Sequence, residues 1–448
     1  MEQTTLQIER VECCDVFVCG GGLSGFAAAV AAARSGARVI LAESGNCLGG
    51  TATEGLVAPF MTCYDAKGET QIIHGLFDEL LARLTEDGGA VSPAACPGGD
   101  SRSGYRKAGH IGVTPFLAES LKRVTEAMCL EAGVTILYHT MLIGCTREGD
   151  RIRRAYLASE TERIAVDADM FIDTTGYATL AAYAGAETTR GDEHGMVQTA
   201  TTFFLIDGVD KGALDAYMDT HTDMRSRFFM DEIEAAQKDG SFPCGTPKLR
   251  IFELPDGTFA VNMAQIDEQL CELDTEAVSL AEIAQRAQIK RIVAFLREKI
   301  VGLSKIRLVA TASAIGIRES RRIVGNTVFT LDDILAARMF DDRIAICANS
   351  VDIHQKNGVS YSAHNRENYS IPLSCLIAKD VKNLLTAGKS LSADKYAFAA
   401  VRVMPPCIAM GEAVGITAAF ASSRGVSAED VPYADVRAEL RKRGAYLG

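Results

Sequence analysis

The stretch from Asp15 to Glu43 constrains this chain more than any other. Asp15-Val-Phe-Val-Cys19 is a short apolar run, and Gly20-Gly-Gly-Leu-Ser-Gly25 follows it without a spacer. The run reads as a buried strand. Phe26 to Ser35 is rich in alanine, the strongest helix former, and Gly36 suits a helix end. Ala37 to Ala42 is a second strand, closed by Glu43. Together these make one βαβ unit.

Gly20, Gly22 and Gly25 match the G-x-G-x-x-G spacing of a dinucleotide site. The first glycine permits a tight turn, the second lets backbone approach a pyrophosphate, and the third lets helix and strand pack closely. Leu23 and Ser24 open the helix, whose unpaired N–H groups and positive dipole end favour phosphate. Glu43, with Ser44 beside it, stands where an acid accepts ribose hydroxyls; it disfavours a 2′-phosphate, so FAD or NAD is preferred to NADP. The alternative is an α/β turn without a ligand. A second glycine pair, Gly49-Gly50 followed by Thr51, selects FAD, which extends beyond the first site.

The rest of the chain supplies the frame. Gly75 to Glu86 has helical spacing, and Thr114-Pro115 opens a helix running to about Cys129. Met141 to Val166 reads as a small β-meander, and Met170 to Asp173 as a separate buried strand entering Thr174-Thr-Gly176. From about Thr188 to Thr330 the pattern changes to strand-like Phe203 to Ile206, Leu249 to Phe252 and Phe259 to Asn262, with an amphipathic helix from Ala281 to Ile300. The C-terminal part returns to α/β, with a strand at Asn383 to Ala387 and a small-residue helix from Cys407 to Ser422. The expected fold is α/β: a Rossmann-like FAD-binding domain with a β-meander in two parts, 1–188 and 336–448, around an inserted α+β substrate domain, 189–335. At ~150 residues per domain, 448 residues suit two or three domains.

These segments resemble the FAD-dependent oxidoreductase family of the glutathione-reductase-like superfamily, the branch related to fumarate reductase flavoproteins. The resemblance is carried by Asp15 to Glu43, Leu48 to Thr51, Phe171 to Gly176, Ile317 to Gly325, Tyr369 to Pro372, Asn383 to Asp394 and Arg402 to Gly415. It implies that Gly176 lies beside the adenosine and pyrophosphate and that Gly388 passes the pyrophosphate and ribityl chain. It also implies that Pro406, Cys407 and Ile408 open a helix under the flavin pyrimidine ring. A helix N-terminus there would stabilise the negative charge of reduced flavin. Two positions depart from the family: Tyr177 replaces an acid, and Lys389 replaces an arginine.

Composition excludes several classes. The charge, 46 basic against 58 acidic residues, disfavours nucleic acid as a partner. No uninterrupted apolar run of about 18 residues occurs, and the first residues are acidic where a signal peptide is basic, so no membrane partner and a cytoplasmic location are expected. The 13 cysteines include no C-x-x-C pair, so neither a disulfide framework nor a metal site is signalled.

A flavin enzyme needs an acid or base near N5 and often a cation for an anionic substrate. The stretch Asp352 to Arg366 supplies His354, with Asp352 as a partner, then His364, with Arg366 as substrate anchor; Arg402 is the fourth catalytic candidate. His74 reads as a capping or packing residue, and Cys47 as a packed thiol rather than a reactive one. Arg318, Glu319, Arg321 and Arg322 read as a structural ion-pair network, with Arg318 and Arg322 on one face if the segment is helical. The expected function is hydride transfer between flavin N5 and a small organic substrate, by a dehydrogenase or reductase. The alternatives are a flavin monooxygenase and an electron-transfer subunit of a larger complex. A homo-oligomer is left open.

Overall fold

A computed structural model describes residues 7–95, 113–266, 270–354, 360–363 and 367–448. The Asp15–Glu43 unit forms as expected. Strand β1, Arg10–Cys19, runs into helix α1, Leu23–Arg34, and back into β2, Val39–Ala42, which pairs parallel with β1. The neighbours are β3, Thr135–Leu137, beyond β2, and β6, Arg163–Asp173, on the other flank of β1. The meander consists of β4, Met141–Glu148, β5, Arg151–Ala158, and the first half of β6.

The last strand of the meander and the strand expected at Met170–Asp173 are therefore one continuous strand. Asp167, between the two stretches, pairs with Arg154 across the ladder, so its charge does not interrupt β6. The two halves of β6 share one flank differently. The first half takes β5 antiparallel, and the second takes the strand Leu384–Thr386 parallel. Asn383 holds that junction: its side chain accepts from Ile152 N at 2.9 Å and donates to the carbonyls of Ile152 at 2.8 Å and Asp169 at 3.0 Å. The helix expected from Thr114 begins instead at Ala118, because Thr114 exchanges both backbone hydrogen bonds with Phe60 and stays extended.

The core helix is Met404–Arg424, which is long and apolar enough to cross a bilayer but is buried within the fold. It crosses α1 at backbone contact. A Cβ on Gly411 would lie 2.2 Å from Ser24 O, and one on Gly415 would lie 2.3 Å from Ala28 O. Small residues on both helices thus set the crossing.

A second, four-stranded antiparallel sheet occupies the middle of the chain, in the order Arg307–Thr311, Thr201–Asp207, Phe259–Gln265, Ile251–Glu253. The helix Thr275–Lys299 buries Ile289, Ile292 and Leu296 with Phe204, Phe259 and Val261 in a separate apolar cluster. Asp274 caps that helix by accepting from Ala277 N at 2.9 Å. The chain leaves and re-enters the first sheet side by side, through the paired strands Thr188–Arg190 and Arg321–Ile323.

Candidate functional site

The glycine turn after β1 is tightly specified. Gly20 has φ of +100°, and a Cβ there would lie 2.6 Å from Thr174 O. A Cβ on Gly25 would lie 1.8 Å from Gly20 O. Thr174 closes the turn from the neighbouring strand end, its hydroxyl donating to Cys19 O at 2.9 Å and Gly20 O at 2.7 Å. Gly22 differs: nothing lies within 4 Å of its Cβ position. Two of the three motif glycines therefore answer to the fold, and Gly22 keeps a space open at the start of α1.

The second glycine pair meets the first. Gly49 N donates to Gly21 O at 2.9 Å, and a Cβ on Gly50 would lie 3.0 Å from the Gly22 Cα. The Thr53 hydroxyl fixes this turn by donating to Leu48 O at 2.8 Å, and Thr51 is exposed at its rim. Glu43 is buried, its Oε2 accepting from Gly21 N at 2.6 Å and its Oε1 from Gly45 N at 2.7 Å and the exposed Ser44 hydroxyl at 3.0 Å. Those bonds aim the carboxylate and fill three of its roughly four acceptor positions, leaving one for a ligand hydroxyl.

Gly388, at φ +75°, joins the same surface, since a Cβ there would lie 2.5 Å from Ser24 Oγ and 3.9 Å from Cys407 Sγ. Gly176 is buried, and a Cβ there would lie 2.9 Å from Lys389 Cε. The two departures from the family pattern meet each other: Lys389 Nζ stands 5.5 Å from the Tyr177 ring centroid and donates to Ile317 O at 2.7 Å. Burial, and then the charge of Arg402, bring Lys389 down to about 8.

The start of the Met404–Arg424 helix qualifies one expectation. Pro405 and Pro406 carry no N–H, and Cys407 N donates to Val403 O at 3.2 Å. Pro406 and Cys407 therefore cannot give amide hydrogen bonds to a ring; the helix dipole remains. Ile408 is fully buried in the apolar core. Cys407 is a packed thiol pushed up to about 12 by burial. Cys47 is likewise buried, which raises its pKa, and it lies 3.7 Å from the Thr53 hydroxyl.

Of the catalytic candidates, His364, Arg366 and the side chain of His354 lie outside the described residues; His354 ends the strand Val351–His354. Arg402 is described. Its Nη2 donates to Gln198 Oε1 at 3.2 Å and to the Asp352 carbonyl at 3.0 Å. His74 bonds Asp78 Oδ2 at 2.7 Å and Gln71 O at 2.9 Å, a packing role near the helix Leu76–Glu86.

The arginine-rich segment divides in two. Arg321–Ile323 is a strand, not a helix, yet Arg322 pairs with Glu319, both almost fully buried. Arg322 is completed by the carbonyls of Ala393 and Gly191. Arg318 takes no part and turns away to donate to Thr199 O at 2.7 Å. Arg250 is within electrostatic reach of Asp352 and Arg318. The sequence reading did not select Arg250, although a lone arginine inside the apolar run Leu249 to Phe252 marks a position with an unusual neighbour.

The family model for FAD dependent oxidoreductases matches residues 15–440. The chain belongs to that family. Its cofactor is FAD, and the open space at Gly22, framed by the second glycine turn, fits a phosphate-bearing group held by backbone. Among solved structures, p-nitrophenol 4-monooxygenase PnpA from Pseudomonas putida DLL-E4 superposes on this oxidoreductase with a TM-score of 0.52 at 13% identity, covering 96% of this chain and 84% of that one. The myxobacterial halogenase CndH gives 0.47 at 13% identity, covering 96% and 79%. A geranylgeranyl bacteriochlorophyll reductase-like protein from Thermoplasma acidophilum gives 0.44 at 13% identity, covering 96% and 83%. No curated protein matches the sequence. The likeness to PnpA concerns the α/β fold of parallel and antiparallel strands.

Proposed function

We propose that this FAD-dependent oxidoreductase moves a hydride between the flavin ring and a small organic substrate, at the N-terminal end of the Met404–Arg424 helix. The observation that supports it is the meeting of the Gly20–Gly25 and Gly49–Gly50 turns around an open Cβ position at Gly22 in a chain of this family. When bound, FAD supplies the two-electron donor or acceptor. The chain does the rest. Backbone at Gly22, Leu23 and Ser24 holds the pyrophosphate, Glu43 holds a ribose hydroxyl, and Gly49, Gly50 and Gly388 let main chain lie against the extended cofactor. Arg402 and Lys389 set positive charge where a reduced ring is anionic, in place of the amides that Pro405 and Pro406 remove. The middle sheet closes the substrate side and sets specificity. The protein acts in the cytoplasm.

The test is anaerobic mixing of the FAD-loaded enzyme with a panel of small alcohols, amines and organic acids. Flavin bleaching with formation of the dehydrogenated product is expected. PnpA, whose fold this chain shares, is a monooxygenase. A hydroxylated product that appears only when reduced nicotinamide and oxygen are both supplied would replace hydride transfer with that chemistry.

A further inference from the structure

The helix Thr275–Lys299 carries apolar residues on two sides, and the fold uses one of them. Ile289, Ile292 and Leu296 are buried toward the middle sheet. At about 100° per residue, Glu276, Leu280, Ile283, Ala284, Ala287 and Arg291 fall on a stripe about 100° wide on the opposite side. All six are exposed, Leu280 by 60% and Ile283 by 63%. Single exposed leucines are ordinary, but apolar residues repeated at helical spacing on a bare face mark a surface that is covered by something.

The stripe is complementary to itself when turned end for end. An antiparallel pair with its two-fold axis between Ile283 and Ala284 places Ile283 against Ala284 of the second copy, Leu280 against Ala287, and Glu276 against Arg291. Each large side chain then meets a small one, and every contact occurs twice. Glu276 makes no ion pair among the described residues, and Arg291 reaches only Gly240 O, at 3.5 Å, so both charges can be used across the seam. Other arrangements fail on charge. Moving the axis to Ala287 brings Ile283 against Arg291 and Glu276 against Glu298, whereas a parallel pair sets Glu276 on Glu276 and Arg291 on Arg291. The antiparallel direction also lays the positive N-terminal end of each helix beside the negative C-terminal end of the other.

We propose that this face of the helix is the seam of a homodimer, in which the stripes of two copies pack antiparallel. The inference is independent of the redox reading, since none of its residues belongs to the proposed FAD site. The stripe runs about 22 Å from Glu276 to Arg291, a small contact that suits a reversible dimer with a Kd in the micromolar range rather than a permanent one.

The test is sedimentation velocity of the FAD-loaded chain across that concentration range. A species of twice the monomer mass that grows with concentration is expected. Leu280→Asp and Ala287→Arg, at side chains the folded monomer leaves exposed, should each weaken it about a hundredfold with FAD content unchanged. Glu276→Arg and Arg291→Glu should each weaken it about tenfold, and the two together in one chain should restore it, because the reversed charges meet again in this register. A chain that stays monomeric well above the micromolar range overturns the seam, as does a dimer that both Leu280→Asp and Ala287→Arg leave intact. If one of these two variants fails to load FAD, the other decides by the same criterion. A dimer weakened by the apolar-site variants but not restored by the double reversal overturns the antiparallel register. A monomer that binds vesicles of phosphatidylcholine and phosphatidylglycerol, and loses that binding with Leu280→Asp, would assign the stripe to a lipid surface and overturn the dimer.

Discussion

The two ends of the proposed FAD site are built by opposite means. At the nucleotide end the working groups are backbone atoms. Gly20 and Gly25 are held by contacts a methyl group would break, and the one carboxylate, Glu43, is aimed by Gly21 and Gly45 N–H groups. At the other end Arg250, Arg318, Lys389 and Arg402 gather with no ion pair to any carboxylate among the described residues. Arg322, four residues from Arg318, is paired, lies 5.3 Å from the Phe398 ring centroid and is hydrogen-bonded at each of its three nitrogens. Neighbouring arginines can thus serve different ends: one charge is neutralised for the fold, and the others stay available. The nucleotide end selects by steric fit to main chain, and the ring end by unspent charge.

The contrast breaks most visibly if the paired side is unpaired. Glu319→Ala would leave Arg322 buried without its counter-ion and Gln198 N without its acceptor, so a loss of about 3–5 kcal/mol in denaturant unfolding is expected. A loss below about 1 kcal/mol would mean that Arg322 is no better paired than Arg402, and the distinction would fall.

The steric account of the nucleotide end is sharpened by two alanines three residues apart. Gly25→Ala drives a methyl group into Gly20 O and should cost about 3 kcal/mol of stability as well as FAD binding. Gly22→Ala meets only open space at a φ of −60° that alanine accepts, so the FAD-free protein should unfold within about 0.5 kcal/mol of the parent while FAD binding is lost. Equal effects of the two substitutions would show that the space at Gly22 is not reserved for the cofactor.

Glu412 tests whether charge is absent from the packing behind that end. It sits on the core helix, accepts from Leu76 N at 3.1 Å, and is pushed by burial from 4.5 up to about 7. The folded state then holds a proton that the unfolded chain releases. This contribution is complete below about pH 4.5 and is lost as pH rises through about 7, by up to about 3 kcal/mol. Glu412→Gln should flatten stability across that window when unfolding is compared at about pH 5 and about pH 8. The smallest effect belongs to Tyr177→Leu, which removes the ring facing Lys389 and should cost about 1 kcal/mol, read as a lowered Tm.

Much of the first region was legible in the chain because its parts are neighbours in sequence. A strand, three spaced glycines and a helix specify one another over a few residues, and Glu43 follows at the next strand end. The reading went astray where a distant contact overrode local pattern. The meander was bounded at Val166, whereas β6 runs on to Asp173 with Asp167 paired to Arg154, and Thr114 looked like a helix cap until Phe60 drew it into extended pairing. The helix start expected at Pro406 to Ile408 forms within Met404–Arg424, and its prolines, visible in the sequence, carry no N–H.

What the sequence determined by itself was the dinucleotide turn: backbone sterics and hydrogen bonding suit a βαβ turn with these glycines and this acid to a dinucleotide, and its parts lie close together in the chain. What only the tertiary structure decided was the use of each arginine. Arg318 and Arg322 stand in one short segment and look alike on paper, but burial makes a charge seek a partner, and the partners, Glu319 for one and the Gln198–Thr199 main chain and side chain for the others, are assigned by how distant strands pack.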